Sequence, residues 1–329
     1  MIFAELPLDA ASGAMLAHAL PIAGRRFPKG SPVDAELLAA AAAAGISHLW
    51  VARLEPGDRP EAEAAVKLAA RLAGPGVEPR PPVHGRVNLH ATSDGLLMLD
   101  PQAITAANLA TDQIGLSTLP PLSPVAAGDM VATVKIIPYA VPATDLAAAA
   151  AALAPIRISP WRQGLSATLV QTRSSETADK LLAKTREVTA ARLDRLGVTL
   201  HEAPPVPHAV EALAAALATV SADLVLIAGA TATSDPRDVI PAAIRAAGGT
   251  VLRVGMPVDP GNLLVLARLG PALVIGLPGC ARSPKRNGLD LVLEHWAAGL
   301  AVDAARIAAM GVGGLLEGSG RPVPWGWSG

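Results

Sequence analysis

The sequence predicts an α/β protein in two parts. A β-rich α+β region comes first, and a mostly parallel sheet covered by helices on both faces follows. Three observations carry this. From Ser166 onward, strand-length apolar runs alternate with helix-length segments. One run, Leu224 to Ala228, holds no polar residue, as a strand buried on both faces does. Before about Pro138, short apolar runs are broken by Gly and Pro turns instead.

In the first part, Lys29-Gly30 predicts a turn, Asp34 a helix N-cap and Gly45 the end of that helix. A strand is expected over 48–53 and a helix over 59–73, stopped by Gly74-Pro75-Gly76. Further strands are expected near 86–90 and 95–99, and over 130–137 after the turn Ala127-Gly128-Asp129. The Pro- and Ala-rich stretch from Pro138 to Pro160 reads as a boundary with a linking helix, giving domains 1–143 and 144–329. In the second part, strands are expected over 167–171, 198–201, 224–228, 250–254 and 273–275, and helices over 176–195, 208–220, 236–247 and 285–300. The tail RPVPWGWSG reads as a mobile end, with Trp325 and Trp327 able to dock.

Composition excludes several functions. Hydrophobic residues are 51% and charged residues 17%, so the chain can bury a core, although aromatics are only 2%. A net charge of -1 leaves no basic excess for a nucleic-acid backbone. A single cysteine cannot form an internal disulfide or a cysteine-based zinc site. The Ala-rich run from Leu146 to Pro155 is about half of the roughly 20 residues needed to span a membrane. The N-terminus has early acids and no basic segment, so a cytoplasmic protein without a signal peptide is expected.

Three loops that follow strands in the second part combine small residues, hydroxyls and a helix start. They are Thr172-Arg173-Ser174-Ser175, the run from Gly229 to Asp235, and the run from Gly276 to Ser283. Free N–H groups and a helix dipole make such loops suited to anions, and Arg282, Lys285 and Arg286 add positive charge. The competing reading is structural: Asp235 as N-cap, Pro236 as first helical residue and Asp238 in the first turn, with Ser283-Pro284 starting the last helix in the same way. His208 at a helix start reads as structural or as an acid/base group. Cys280, near basic groups, reads as a thiol of lowered pKa or as a plain loop residue. The glycine-rich dinucleotide and P-loop signatures, the G-x-S-x-G elbow and H-E-x-x-H are absent.

These loops carry a resemblance. ADLVLIAGATATSDPRDVIPAAI, GMPVDPGN and VIGLPGCARSPKRNG, within residues 166–300, resemble the molybdopterin-binding domain of MoeA- and MogA-type molybdenum cofactor biosynthesis proteins. GRRFPKGSPVDAELLAAAAAAGISHLWVARL resembles a MoeA segment, so a MoeA-like accessory region precedes the domain. The resemblance implies a three-layer α/β/α sandwich binding molybdopterin over its strand ends. Cofactor contacts are implied for Gly229, Thr231, Thr172, Ser174, Ser175, Gly279, Arg282, Ser283 and Lys285, and catalytic roles for Asp238 and Asp235, with Asp238 as ligand to a magnesium ion. Molybdate is the implied co-substrate. A homo-oligomer is implied, with other cofactor biosynthesis proteins or a molybdoenzyme as partners. The nucleotidyltransferase fused to some such proteins would follow this region and is not expected within this sequence.

The sequence departs from the pattern at Ala230, where a glycine is usual, at His208, where MogA-type members carry an acid, and at Cys280-Ala281. Three functions follow: molybdenum insertion of the MoeA kind, a non-enzymatic cofactor carrier or chaperone, or an unrelated phosphate-metabolite enzyme on the same fold.

Overall fold

The computed structural model describes residues 1–316, and the Trp325–Trp327 tail lies outside them. The chain divides into two compact units, Met1–Ile158 and Ser159–Gly329.

The first unit is built on small antiparallel sheets. Strands Ile114–Thr118, Met130–Ile136, Arg86–Ala91 and Val77–Pro79 form a four-stranded sheet in that order. Its buried side chains meet Ala64, Ala65, Leu68, Ala69 and Leu72 of the helix Glu61–Leu72. That i, i+1, i+4, i+5, i+8 spacing places all five on one helix face. A second sheet pairs Ile2–Pro7 and Met15–Leu16 with the central strand His48–Arg53. The helix Ala35–Ala43 starts as expected at Asp34, whose carboxylate accepts the Leu37 N–H at 2.9 Å. Helix Pro101–Ala110 was not anticipated, although Asp100-Pro101 is an N-cap followed by an N1 proline.

The Ala-rich segment read as a linking helix is the helix Ala143–Ala152, and it belongs to the first unit. Its Leu146 and Ala149, followed by Leu153, Ile156 and Ile158, are buried in the same core as Leu68 and Val134. The units therefore divide at 158/159 rather than at the change in composition near 143.

The second unit is a three-layer α/β/α sandwich. Its sheet runs in the order Thr199–Glu202, Ser166–Arg173, Leu224–Ala228, Ala272–Gly276, Val265–Leu269, Thr250–Val254. The short strand Val206–Pro207 pairs with the end of Ser166–Arg173. The first four strands are parallel, Val265–Leu269 runs against them, and Thr250–Val254, antiparallel to Val265–Leu269, runs with them again. Strand Leu224–Ala228 shows why it is wholly apolar. Leu224, Leu226 and Ala228 enter a core with Leu193, Leu289, Val292 and Trp296, whereas Val225 and Ile227 enter another with Leu213, Leu217, Ile240 and Ile244. Helices Asp179–Asp194 and Gly288–Ala297 thus cover one face, and Val210–Leu217 and Val239–Ala246 the other.

Helix starts differ from expectation where the sequence offered two candidates. Asp238, not Asp235, is the N-cap of Val239–Ala246. Asn287, not Ser283, starts Gly288–Ala297, through a capping box in which Asp290 Oδ2 accepts the Asn287 N–H at 2.8 Å. Ser283 instead ends a short 3-10 turn, Gly279–Arg282. The hairpin from Val265 to Gly276 replaces the single strand expected there.

A buried charge organises this unit. Arg192 and Asp290 are each only 3% exposed. Arg192 Nε donates to Asp290 Oδ1 at 2.9 Å, Nη1 to the Ala281 carbonyl at 2.7 Å, and Nη2 to the carbonyls of Ser283 and Lys285 at 2.5 and 3.0 Å. Arg192→Met would leave buried Asp290 to the longer Arg195 contact, 3.4 Å, and orphan three carbonyls. It is expected to destabilise the protein by about 3–5 kcal/mol in chemical denaturation.

His295 is buried with Nδ1 unpartnered. Burial, with help from Arg306 and Arg286, pushes its pKa down from 6.5 to about 4. The unfolded chain therefore binds this proton more readily than the folded one. Stability is expected to fall as pH drops from about 6.5 to about 4, by roughly 3 kcal/mol from this group. Comparing the unfolding free energy of the native chain and His295→Leu across that range isolates it; parallel curves would refute it.

Candidate functional site

Three adjacent parallel strands bring the three loops together. Gln171 registers with Ala228, and Ile227 with Gly276, so the strands end side by side. The loops leave from their carboxyl ends, where open α/β sheets bind ligands.

Alternation sends neighbouring residues of the first strand to opposite faces. Gln171 turns to the helix Asp179–Asp194, where its Nε2 donates to the Leu182 carbonyl at 3.1 Å. Its Oε1 is buried without a partner. Thr172, also buried, turns the other way. Its Oγ1 accepts the Ala230 N–H at 2.8 Å and lies 2.8 Å from His208 Nδ1. His208 Nε2 in turn lies 2.9 Å from Thr231 Oγ1. Arg282 Nη2 donates to the Gly229 carbonyl at 2.6 Å. One connected set of polar groups therefore joins all three loops and the strand Val206–Pro207.

Gly229 is sterically required in this arrangement. A Cβ there would lie 2.7 Å from the Thr231 carbonyl oxygen and 3.0 Å from Ile240 Cδ1. Gly279 is different: its surroundings are open, and a Cβ would meet nothing within 4 Å. The usual glycine at 230 is not needed to make the loop turn, since the Ala230 N–H still reaches Thr172.

The other predicted residues divide into groups. Ser174 folds back on its own loop, with its N–H on Thr177 Oγ1 at 2.9 Å and the two hydroxyls 3.1 Å apart. Ser175 is exposed beside it. Ser283 gives its carbonyl to Arg192, while its Oγ accepts the Lys285 N–H at 3.3 Å. Lys285 is exposed on the same loop. Asp238 accepts N–H groups from Val239 at 2.9 Å and Ser234 at 3.2 Å. Asp235 binds the Arg237 guanidinium through both oxygens, at 2.8 and 2.9 Å, and that guanidinium holds its carboxyl below the usual range.

The donor set does not hold a magnesium ion by protein side chains alone. Among the described residues no three His, Cys, Asp or Glu side chains group to hold a metal. The carboxylates of Asp238 and Asp235 are turned to N–H groups and to Arg237. The set does fit an anion: it offers the Thr231 and Ser283 hydroxyls, the Arg282 guanidinium and the open backbone at Gly279, at the ends of three parallel strands. Burial pushes the Cys280 thiol pKa up, the reverse of the lowering that nearby basic groups suggested.

Sequence reasoning marked His208 as an acid/base candidate standing where MogA-type members carry an acid, but did not join it to Thr172 and Thr231. Its partners Thr172 and Thr231 lie 36 and 23 residues away in sequence, and no local spacing signals them.

No curated protein matches this chain. Among solved structures, the molybdopterin biosynthesis MoeA protein from Pyrococcus horikosii matches over 73% of this chain and 80% of its own, at 15% identity. Its TM-score is 0.31, too loose a superposition to carry residue correspondences. The family described as "Probable molybdopterin binding domain" matches residues 171–296, a span that begins at Gln171, ends at Trp296 and contains all three loops. The second unit thus carries, over that span, a region similar to the molybdopterin-binding domain family.

Proposed function

We propose that the second unit binds molybdopterin over its strand ends and that the chain acts in molybdenum cofactor biosynthesis in a MoeA-like manner. The observation that supports this is the coincidence of the family match with the three loops that one polar network joins.

In this reading the terminal phosphate lies against Gly229 and Thr231, with Thr172 shaping the second loop from beneath. Arg282 supplies counter-charge, and Ser174, Ser175, Gly279, Ser283 and Lys285 line the rim. Asp238 and Asp235 order the second loop, and no step is routed through a cation on them. Molybdate would be taken up by the bound pterin. The anionic oxygens of both ligands suit a site that offers N–H and O–H donors.

A carrier role is a second reading, favoured by the engagement of Asp238 and Asp235 with N–H groups and Arg237. Turnover separates the two. An enzyme releases a molybdenum-loaded product over successive cycles, whereas a carrier retains one equivalent of pterin. Asp238→Ala is expected to cost about 1 kcal/mol of stability as a lost cap. In a carrier, pterin affinity then stays near the native value.

The binding itself is tested by titrating molybdopterin into the purified chain, with and without molybdate, following tryptophan fluorescence and retained pterin. Saturable binding that Gly229→Val abolishes and Thr231→Val weakens is the expected result. Absence of pterin binding, with retention of another phosphate compound, would replace this function with phosphate-metabolite chemistry.

A further inference from the structure

We propose that His208 is a positioning residue that fixes the Thr231 hydroxyl as a hydrogen-bond donor, so that this end of the site selects an anionic, acceptor-only group such as a phosphate oxygen. The inference rests on the reading of these loops as an anion site.

The argument is one of proton accounting. Thr172 is 1% exposed. Its Oγ1 accepts the Ala230 N–H at 2.8 Å, and its other polar neighbour among the described residues is His208 Nδ1 at 2.8 Å. A buried hydroxyl has one proton to place, and leaving it without an acceptor is costly. The proton goes to Nδ1, which must then be the bare nitrogen of the ring. The imidazole proton sits on Nε2 and is donated to Thr231 Oγ1, 2.9 Å away.

Thr231 is exposed, and its hydroxyl has no other partner among the described residues. With its oxygen accepting from His208, its own proton is aimed away from the ring and out of the loop. The chain therefore has a direction, from the Ala230 N–H through Thr172 and His208 to Thr231. It ends on a donor. Two features keep the chain in place. Gly229 lets the loop fold tightly enough to bring Thr231 back to the ring, since a Cβ at 229 would lie 2.7 Å from the Thr231 carbonyl oxygen. Arg282 puts a positive charge on the Gly229 carbonyl.

Two measurements on the full chain test this. Long-range proton–nitrogen spectra of the histidine-labelled protein, with His208→Gln assigning the signal, are expected to show the Nε2–H tautomer for His208. The Nδ1–H tautomer would overturn the proposal. Calorimetric titration with inorganic pyrophosphate then compares the native chain with Thr231→Val, His208→Phe and the double variant. Each single change is expected to weaken binding about tenfold or more, and the double to lose little beyond the larger single loss. Independent, multiplying losses would show that His208 does not act through Thr231, and native affinity in Thr231→Val would remove the donor. His208→Asn keeps an acceptor for Thr172. It is expected to fold like the native chain while binding weakly, and native-like binding would overturn the proposal. Pyrophosphate binding without molybdopterin binding refutes the pterin reading alone. Failure of the native chain to bind pyrophosphate refutes the ligand class assigned here.

Discussion

The guanidinium of Arg192 has nowhere to go but into the protein. It sits on a helix that covers the sheet, so its charge and donors must be met where they lie. Asp290 meets the charge, and three consecutive odd-numbered carbonyls, Ala281, Ser283 and Lys285, meet the remaining donors. Both consequences reach the site. The third loop is drawn inward by its carbonyls, and Asp290 at the same time closes the capping box that starts Gly288–Ala297. Helix, loop and following helix are one polar unit rather than three elements that happen to touch.

The second loop is held from the opposite face of the sheet. Gln171 and Thr172 are adjacent, yet one serves the helix that carries Arg192 and the other serves His208. The end of a single strand thus supports the loops from both layers. Arg282 then ties the third loop to the second at the Gly229 carbonyl. Such cross-bracing suits a site that must present several donors to one ligand without reorganising on binding.

Much of this fold was legible in the sequence, and the reasons are local. Leu224 to Ala228 could be read because a strand buried on both faces has no place for a polar residue. Asp34 could be read because it stands directly before the unbroken helix-forming run that begins at Ala35. The hairpin from Val265 to Gly276 could not, since LVLARLGPALVIG is apolar almost throughout and only Gly270-Pro271 marks the reversal. Asp235 and Asp238 were exchanged as caps because DPRD offers two acids and a proline in four residues. At the site, the loops were visible through their small residues and hydroxyls. The bonds between them were not, because the contact of Arg282 with Gly229 spans 53 residues and depends on strand order. The helix Ala143–Ala152 shows the same limit: alanine composition marks a helix but not which core it enters.

The reversal of a single strand has a consequence for what this sheet can hold. Neighbouring strands are about 4.8 Å apart, so the three parallel strands that end in loops set those loops within roughly 10 Å of one another. Beyond Ala272–Gly276 the direction flips once: Val265–Leu269 gives only a tight turn at the opposite edge, whereas Thr250–Val254 runs with the first four strands again and sends the segment 255–264 to the same edge as the three loops. The rim therefore continues past the three loops into a fourth segment. The edge beside the three loops is thus occupied by further chain rather than left open.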